Sequence, residues 1–571
     1  MTTSLPSDVQ EILDWSWSFF EPYAQELQAH SLTAGNVEQW LATWSRLEST
    51  IHDMQQRLEV ARSRDTTDET AERRYNNFLD NVFPYAQASA QRLKEKLLVS
   101  GLEPPGFKIP LLKMRTEATL FRDANLPLLS EERKLVATYD KIISAQTVTW
   151  EGQELTLSQL RPIYQEPDRA VRERAWRLAA ERQLADRDEI NALWVKFLDL
   201  RSRLAKNAGY ANYRDFRWQQ LLRFDYTPKA CVWFQDAIAE VVVPAARRIY
   251  KKRRQTLGVA TLRPWDLNVD PFNRPPLRPF KDVSILLDKA RGIFQRVDPQ
   301  LGAYFHTMYS ENLLDLDNRK GKAPGGFCTA FFVAKRPFIF MNAVGLQDDV
   351  ITLLHEGGHA FHVFECSHLP YLQQMDVPLE FAEVASMSME LLAGPYLTLD
   401  NGGFYSDADI ARARQEHLEE IILFWPYMAV VDAFQHWVYE HLEEAKEPAR
   451  CDACWAGLWQ RFMPGVDWNG QEHEMITGWH RRLHIFTDPF YYVEYGVAQL
   501  GALQVWYNTL ANQTQAVNNY RKALSLGGTT TLPELYTTAG GIFILARPNS
   551  KVLKQAVNLV ETSLQEIEHG S

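Results

Sequence analysis

The chain has 571 residues, 46% of them hydrophobic and 23% charged. That profile excludes a disordered or fibrous protein and is long enough for more than one core. A net charge of -11 makes nucleic acid and anionic lipid poor partners, and neither is expected.

The opening Met-Thr-Thr-Ser-Leu-Pro-Ser-Asp lacks the basic and apolar regions of a secretory signal. No apolar run reaches the length of a membrane span, so a cytoplasmic chain with no membrane partner is expected. Residues 1–150 read as successive amphipathic helices. Between residues 37 and 63, Trp40, Leu41, Trp44, Leu47, Ile51, Met54 and Leu58 fall at gaps of three and four, one helical stripe. The pattern breaks into a loop at 101–108, and helical patterning returns from 157 to 223. The basic run Arg247 to Arg254 is expected on the solvated face of a helix. Residues 257–281 are proline-rich and expected as a connecting loop on the surface.

The period changes at 327–333 and 337–342, two short β-branched and aromatic runs that predict a hairpin or two short strands. Gln347, Asp348 and Asp349 then suit the positive end of a helix carrying His355-Glu356-Gly357-Gly358-His359. Further on, Gly527-Gly528 predicts a helix end, and Thr531 with Glu534 a capping box.

Two histidines at i and i+4 project from one helical face and can reach a single Zn²⁺. Glu356 points elsewhere on the helix and can face the water on the metal as its general base. The two glycines weaken the helix by about 1 kcal/mol each relative to Ala, which suggests close backbone packing near the metal. A metzincin would place Gly and His where His362 and Glu365 stand, so that class is excluded. His362 is expected to pack or support rather than ligate, because a catalytic zinc keeps an open position. The third ligand is left among the acids of the next predicted helix, Glu380, Glu383 and Glu390, unless these form a solvated stripe. Glu383, Met387 and Glu390 share one stripe, so one carboxylate could bind zinc while the other orients a ligand histidine. Glu380 lies near the helix start, where the dipole alone favours it. The five cysteines, an odd and sparse count, argue for reduced thiols. Cys451 and Cys454 lack partners for a zinc or redox site and read as incidental.

At these positions the sequence resembles the thimet oligopeptidase and oligoendopeptidase F family of zinc peptidases, most of all the bacterial oligoendopeptidase F and Pz-peptidase branch. The resemblance is carried by Gly321-Lys322-Ala-Pro-Gly325-Gly326-Phe327-Cys328, Pro337 to Asn342, Asp349 to His362, Phe381-Ala-Glu383-Val-Ala-Ser386, His484, and Pro489 to Tyr495. It is specific from about residue 155 onward, which suggests an N-terminal helical region, 1–154, and a catalytic region, 155–571.

The resemblance implies a mostly α fold, with two helical lobes flanking a deep channel and a small β-sheet beside the zinc helix. It implies one Zn²⁺ per chain on His355, His359 and Glu383, with Glu356 as base. His484, Tyr492 and Tyr495 match substrate-binding and transition-state positions, with Tyr491 as an alternative among the tyrosines. Short unstructured peptides would be the substrates. Taken alone, the Phe-Tyr-Tyr-x-x-Tyr cluster reads as aromatic packing, and the 327–342 strands offer an edge for an extended peptide. The alternative function is a catalytically silent peptide binder on the same scaffold, against which the intact Glu356 argues. The sequence leaves the oligomeric state open.

Overall fold

Trp40, Leu41, Trp44, Leu47, Met54 and Leu58 are all buried along one side of the helix Val37–Arg64, with Ile51 half-buried beside them. That stripe is the centre of an N-terminal core shared with the helices Trp17–Ala29, Glu69–Asn81, Phe83–Ser100 and Lys108–Leu120. The computed structural model describes residues 5–6, 9–546 and 549–570. A second, larger core runs from Leu120 to Leu564. The helix Leu126–Ser144 joins this larger core through Leu128, Leu135, Tyr139 and Ile142, so the two cores meet ahead of residue 154.

The fold is mostly helical. Its central element is Leu379–Ala393, in which every residue from Glu383 to Ala393 is buried. It packs between the helices Gln347–Cys366 and Tyr492–Ser525. A solvated acidic stripe is therefore excluded: Glu380, Glu383 and Glu390 all lie inside the protein. The helix Asp407–Glu440 is long and apolar enough to span a membrane by composition, but 78% of that window is buried within the molecule.

Among the described residues, two small sheets interrupt the helices. β1 (Thr147–Trp150) and β2 (Gln153–Thr156) form an antiparallel hairpin that the helical reading of residues 1–150 did not anticipate. β3 (Leu314–Asp317), β4 (Phe327–Phe331) and β5 (Arg336–Ala343) form a sheet of order β3-β5-β4. β4 and β5 are the expected antiparallel pair, with Phe327 opposite Phe340. β3 adds a parallel strand that the sequence did not signal.

Residues 258–281 are irregular apart from one 3₁₀ turn, Pro264–Asp266. They are less superficial than expected, since Leu262, Trp265, Val269, Leu277 and Phe280 are buried. The basic run lies on the helix Pro228–Leu257, where Arg248 and Lys252 pair with Glu561 and Glu568 at exposed positions.

Candidate metal centre and substrate channel

The helix Gln347–Cys366 begins where Asp349 Oδ2 accepts the backbone N–H groups of Val344 and Leu346, both at 2.8 Å. It presents His355 and His359 one turn apart. Glycine is required at 358: a Cβ there would lie 2.4 Å from Ala385 O and 2.5 Å from Ser386 Cα. The helix can therefore lie directly on the backbone of Leu379–Ala393. This close approach is what the two glycines suggested, and it brings Glu383 up to the histidines.

His355 Nε2 is 3.2 Å, and His359 Nε2 3.5 Å, from Glu383 Oε2. Other side chains hydrogen-bond to these groups in turn. His355 Nδ1 is 2.7 Å from Glu390 Oε1, and His417 Nε2 is 3.0 Å from Glu390 Oε2. A carboxylate only accepts, so Nδ1 carries the proton and Nε2 keeps its lone pair for a metal. Ser386 donates to Glu383 Oε2 at 3.0 Å, and the Tyr491 hydroxyl donates to Glu383 Oε1. Glu380, one turn earlier, faces away from this centre. It accepts from the Tyr226 hydroxyl at 2.5 Å and pairs with Arg223 at 3.4 Å. These partners, rather than the helix dipole alone, account for its burial.

The donor set fits a zinc ion: two imidazoles and one carboxylate converge, and their spacing matches neighbouring vertices around one small cation. Glu356 is buried next to them, and its Oε2 has no hydrogen-bond partner among the described residues. Burial raises its pKa, against the nearby histidines. His362 lines the same cavity, buried near Phe381, and neither of its ring nitrogens has a hydrogen-bond partner among the described residues.

The centre opens into a cavity of about 1030 Å³ between the two helical lobes. Glu59, Arg62 and Arg133 line the wall of the N-terminal helices, and His484, Tyr491 and Tyr495 the opposite wall. The segment 321–326 forms part of the rim, and Lys322 fixes it from behind. The buried Lys322 ammonium donates to Asp315 Oδ1 at 2.9 Å and to the carbonyls of Asp315, Asp317 and Met341 at 3.0, 2.8 and 2.6 Å. Burial pushes this ammonium down to about 8, so it is charged at neutral pH. Asn342 donates to the carbonyls of Ala323 and Gly325, so the rim is held at both ends.

His484 Nε2 is 3.0 Å from the Tyr495 hydroxyl. Burial pushes the His484 imidazole down to about 4, which keeps it neutral at physiological pH. Burial also raises the Tyr495 phenol well above its ordinary value, so it remains a donor. Tyr492 is placed differently from the sequence expectation. Its ring is buried among Phe424, Tyr427 and Arg482, behind the channel wall. The helix Tyr492–Ser525 begins here, and its turn directs 491 and 495 into the channel and 492 away from it. Tyr491 is thus the channel residue that sequence reasoning ranked too low. Its four-residue spacing from Tyr495 was the available signal.

Among curated relatives, an oligoendopeptidase F homolog of Mycoplasma pneumoniae is 21% identical over 75% of this chain and 72% of its own. One of Borreliella burgdorferi is 24% identical over 39% of this chain and 37% of its own, so the chain spans little more than a third of that relative in the match. The solved structure of PZ peptidase A with an inhibitor superposes with a TM-score of 0.91, at 27% identity, across the whole of both chains. Residues 163–554 match Peptidase family M3, and with more than half its length matched the chain belongs to that family.

Proposed function

We propose that this chain is a zinc-dependent endopeptidase that hydrolyses internal bonds of short, unstructured peptides. The observation that carries the reading is the convergence of His355, His359 and Glu383 beside the unpartnered oxygen of Glu356, at the floor of a channel between two lobes. His355, His359 and Glu383 would hold one catalytic zinc per chain. When bound, zinc polarises the scissile carbonyl and acidifies the attacking water.

Glu356 takes the proton of that water and passes it to the leaving amine. Glu390 and His417 hold His355 in one ring orientation, and Tyr491 and Ser386 hold Glu383. Tyr495, backed by neutral His484, donates to the oxygen on which charge develops. The edge of β4 beside Gly325-Gly326 offers backbone groups to an extended peptide. A folded protein cannot thread between the lobes, whereas a flexible peptide can. All five cysteines are free, as suits a reducing compartment, and we place the activity in the cytoplasm.

The test is cleavage of an internally quenched short peptide, with and without chelator. Chelator-sensitive cleavage at an internal bond, restored by zinc, is expected. Cleavage that ignores a chelator shown to strip the metal would overturn the reading.

A further inference from the structure

A second cluster of metal-ligating side chains lies outside the channel. Cys231, Asp432 and His436 place Sγ, a carboxylate oxygen and a ring nitrogen within 4.8 Å of one another. Cys231 comes from the helix Pro228–Leu257, and the other two lie at i and i+4 on Asp407–Glu440. Their burial is nearly complete, at 0%, 0% and 4% exposed.

As a purely protein-filled site the cluster is costly. Asp432 Oδ1 and both ring nitrogens of His436 have no hydrogen-bond partner among the described residues. A buried polar atom left unpaired costs the full desolvation of that group. His436 Nε2 stands 3.6 Å from Asp432 Oδ2, too far for a hydrogen bond. That separation is close to the 3.2 and 3.5 Å between the histidines and Glu383 at the candidate catalytic centre. It is also about what two ligands about 2 Å from one tetrahedral ion require.

We propose that Cys231, Asp432 and His436 form a second metal site, structural rather than catalytic, for a borderline-soft divalent cation such as Zn²⁺. A thiolate, a carboxylate and a neutral imidazole balance a charge of +2. The neighbouring Arg223 is matched separately by Glu494 at 2.5 Å and Glu380 at 3.4 Å. Gln235, one turn beyond Cys231, donates to Asp432 Oδ2 at 2.6 Å.

An ion here would tie two long helices together. It would also fix the His436 ring against Phe490, 5.2 Å away, which holds a left-handed φ of 66° just before Tyr491. Because the site is sealed, it would load during folding rather than afterwards.

The experiment is expression of the full chain in cobalt-supplemented medium, read by metal analysis and by the near-ultraviolet thiolate-to-cobalt charge-transfer band. The parent should hold two ions per chain and show the band. His359→Ala should lose one ion and keep the band, because that centre has no thiolate among its donors. Cys231→Ser should lose the band and one ion while the channel ion remains. If Cys231→Ser does not fold, His436→Gln is read in the same way. Absence of the band in the parent, its loss in His359→Ala, or its persistence in Cys231→Ser would each overturn the proposal.

Discussion

His355 Nδ1 stands 2.7 Å from Glu390 Oε1, and this contact between two neighbouring helices decides which ring nitrogen faces the channel. The other Glu390 oxygen is 3.0 Å from His417 on a third helix, so the orientation of one ligand is referred to three elements of the larger core. Glu390→Ala should weaken zinc binding by roughly 10–100-fold, read by competition against a chromophoric chelator. Glu390→Gln should be milder, because an amide oxygen still accepts from Nδ1. Parent-like affinity in the alanine variant would show that the contact orients nothing.

The three tyrosines should separate by function. Tyr495→Phe removes the donor backed by His484 and should cost about 10²–10³ in kcat with little change in KM. Tyr491→Phe releases Glu383 Oε1 and should lower zinc affinity as well as turnover. Tyr492→Phe should retain most activity, since its ring packs behind the wall. Steady-state kinetics with zinc in excess distinguishes them, and a Tyr492 defect larger than the Tyr495 defect would reverse the assignment.

Asp315 links the channel rim to acid stability. Burial acts against its charge, but hydrogen bonds from Arg319 and Lys322 more than offset it and hold the carboxyl well below the usual range. The unfolded chain therefore binds the extra proton first. Stability from this group is complete above the ordinary aspartate pKa of about 3.9 and is lost as pH falls below it. Asp315→Asn should cost roughly 3–5 kcal/mol at neutral pH by removing the counter-charge of buried Lys322, whose carbonyl acceptors alone remain. The gap in apparent Tm between parent and variant should then narrow only as pH falls below about 4. Calorimetry across that range checks it, and a gap that widens on acidification would contradict the linkage.

What the sequence revealed was local. His355, Glu356 and His359 are legible because one helix fixes their relative positions. The stripe of Glu383, Met387 and Glu390 is legible for the same reason. The partners of Glu380, Tyr226 and Arg223, lie more than 150 residues away and leave no periodic mark. β3 is four residues long and pairs in parallel across more than twenty residues of chain, so neither its length nor a turn announces it. Tyr492 was named through the family resemblance, and the sequence alone does not say which of two adjacent tyrosines faces the channel. The start at 492 turns 491 and 495 toward the channel. Asp432 and His436 carry metal-ligand spacing on a helix, but Cys231 joins them only through packing of that helix against Pro228–Leu257.

Glu356 is proposed as the base acting beside a metal held by His355, His359 and Glu383. The most direct measurement is single-turnover cleavage of a short quenched peptide by zinc-loaded Glu356→Gln, with metal content and fold verified on the same sample. Full metal occupancy at the channel, parent-like peptide binding, and a fall of several orders of magnitude in the chemical step are expected. Turnover near that of the parent in the metal-loaded variant would contradict that role for Glu356.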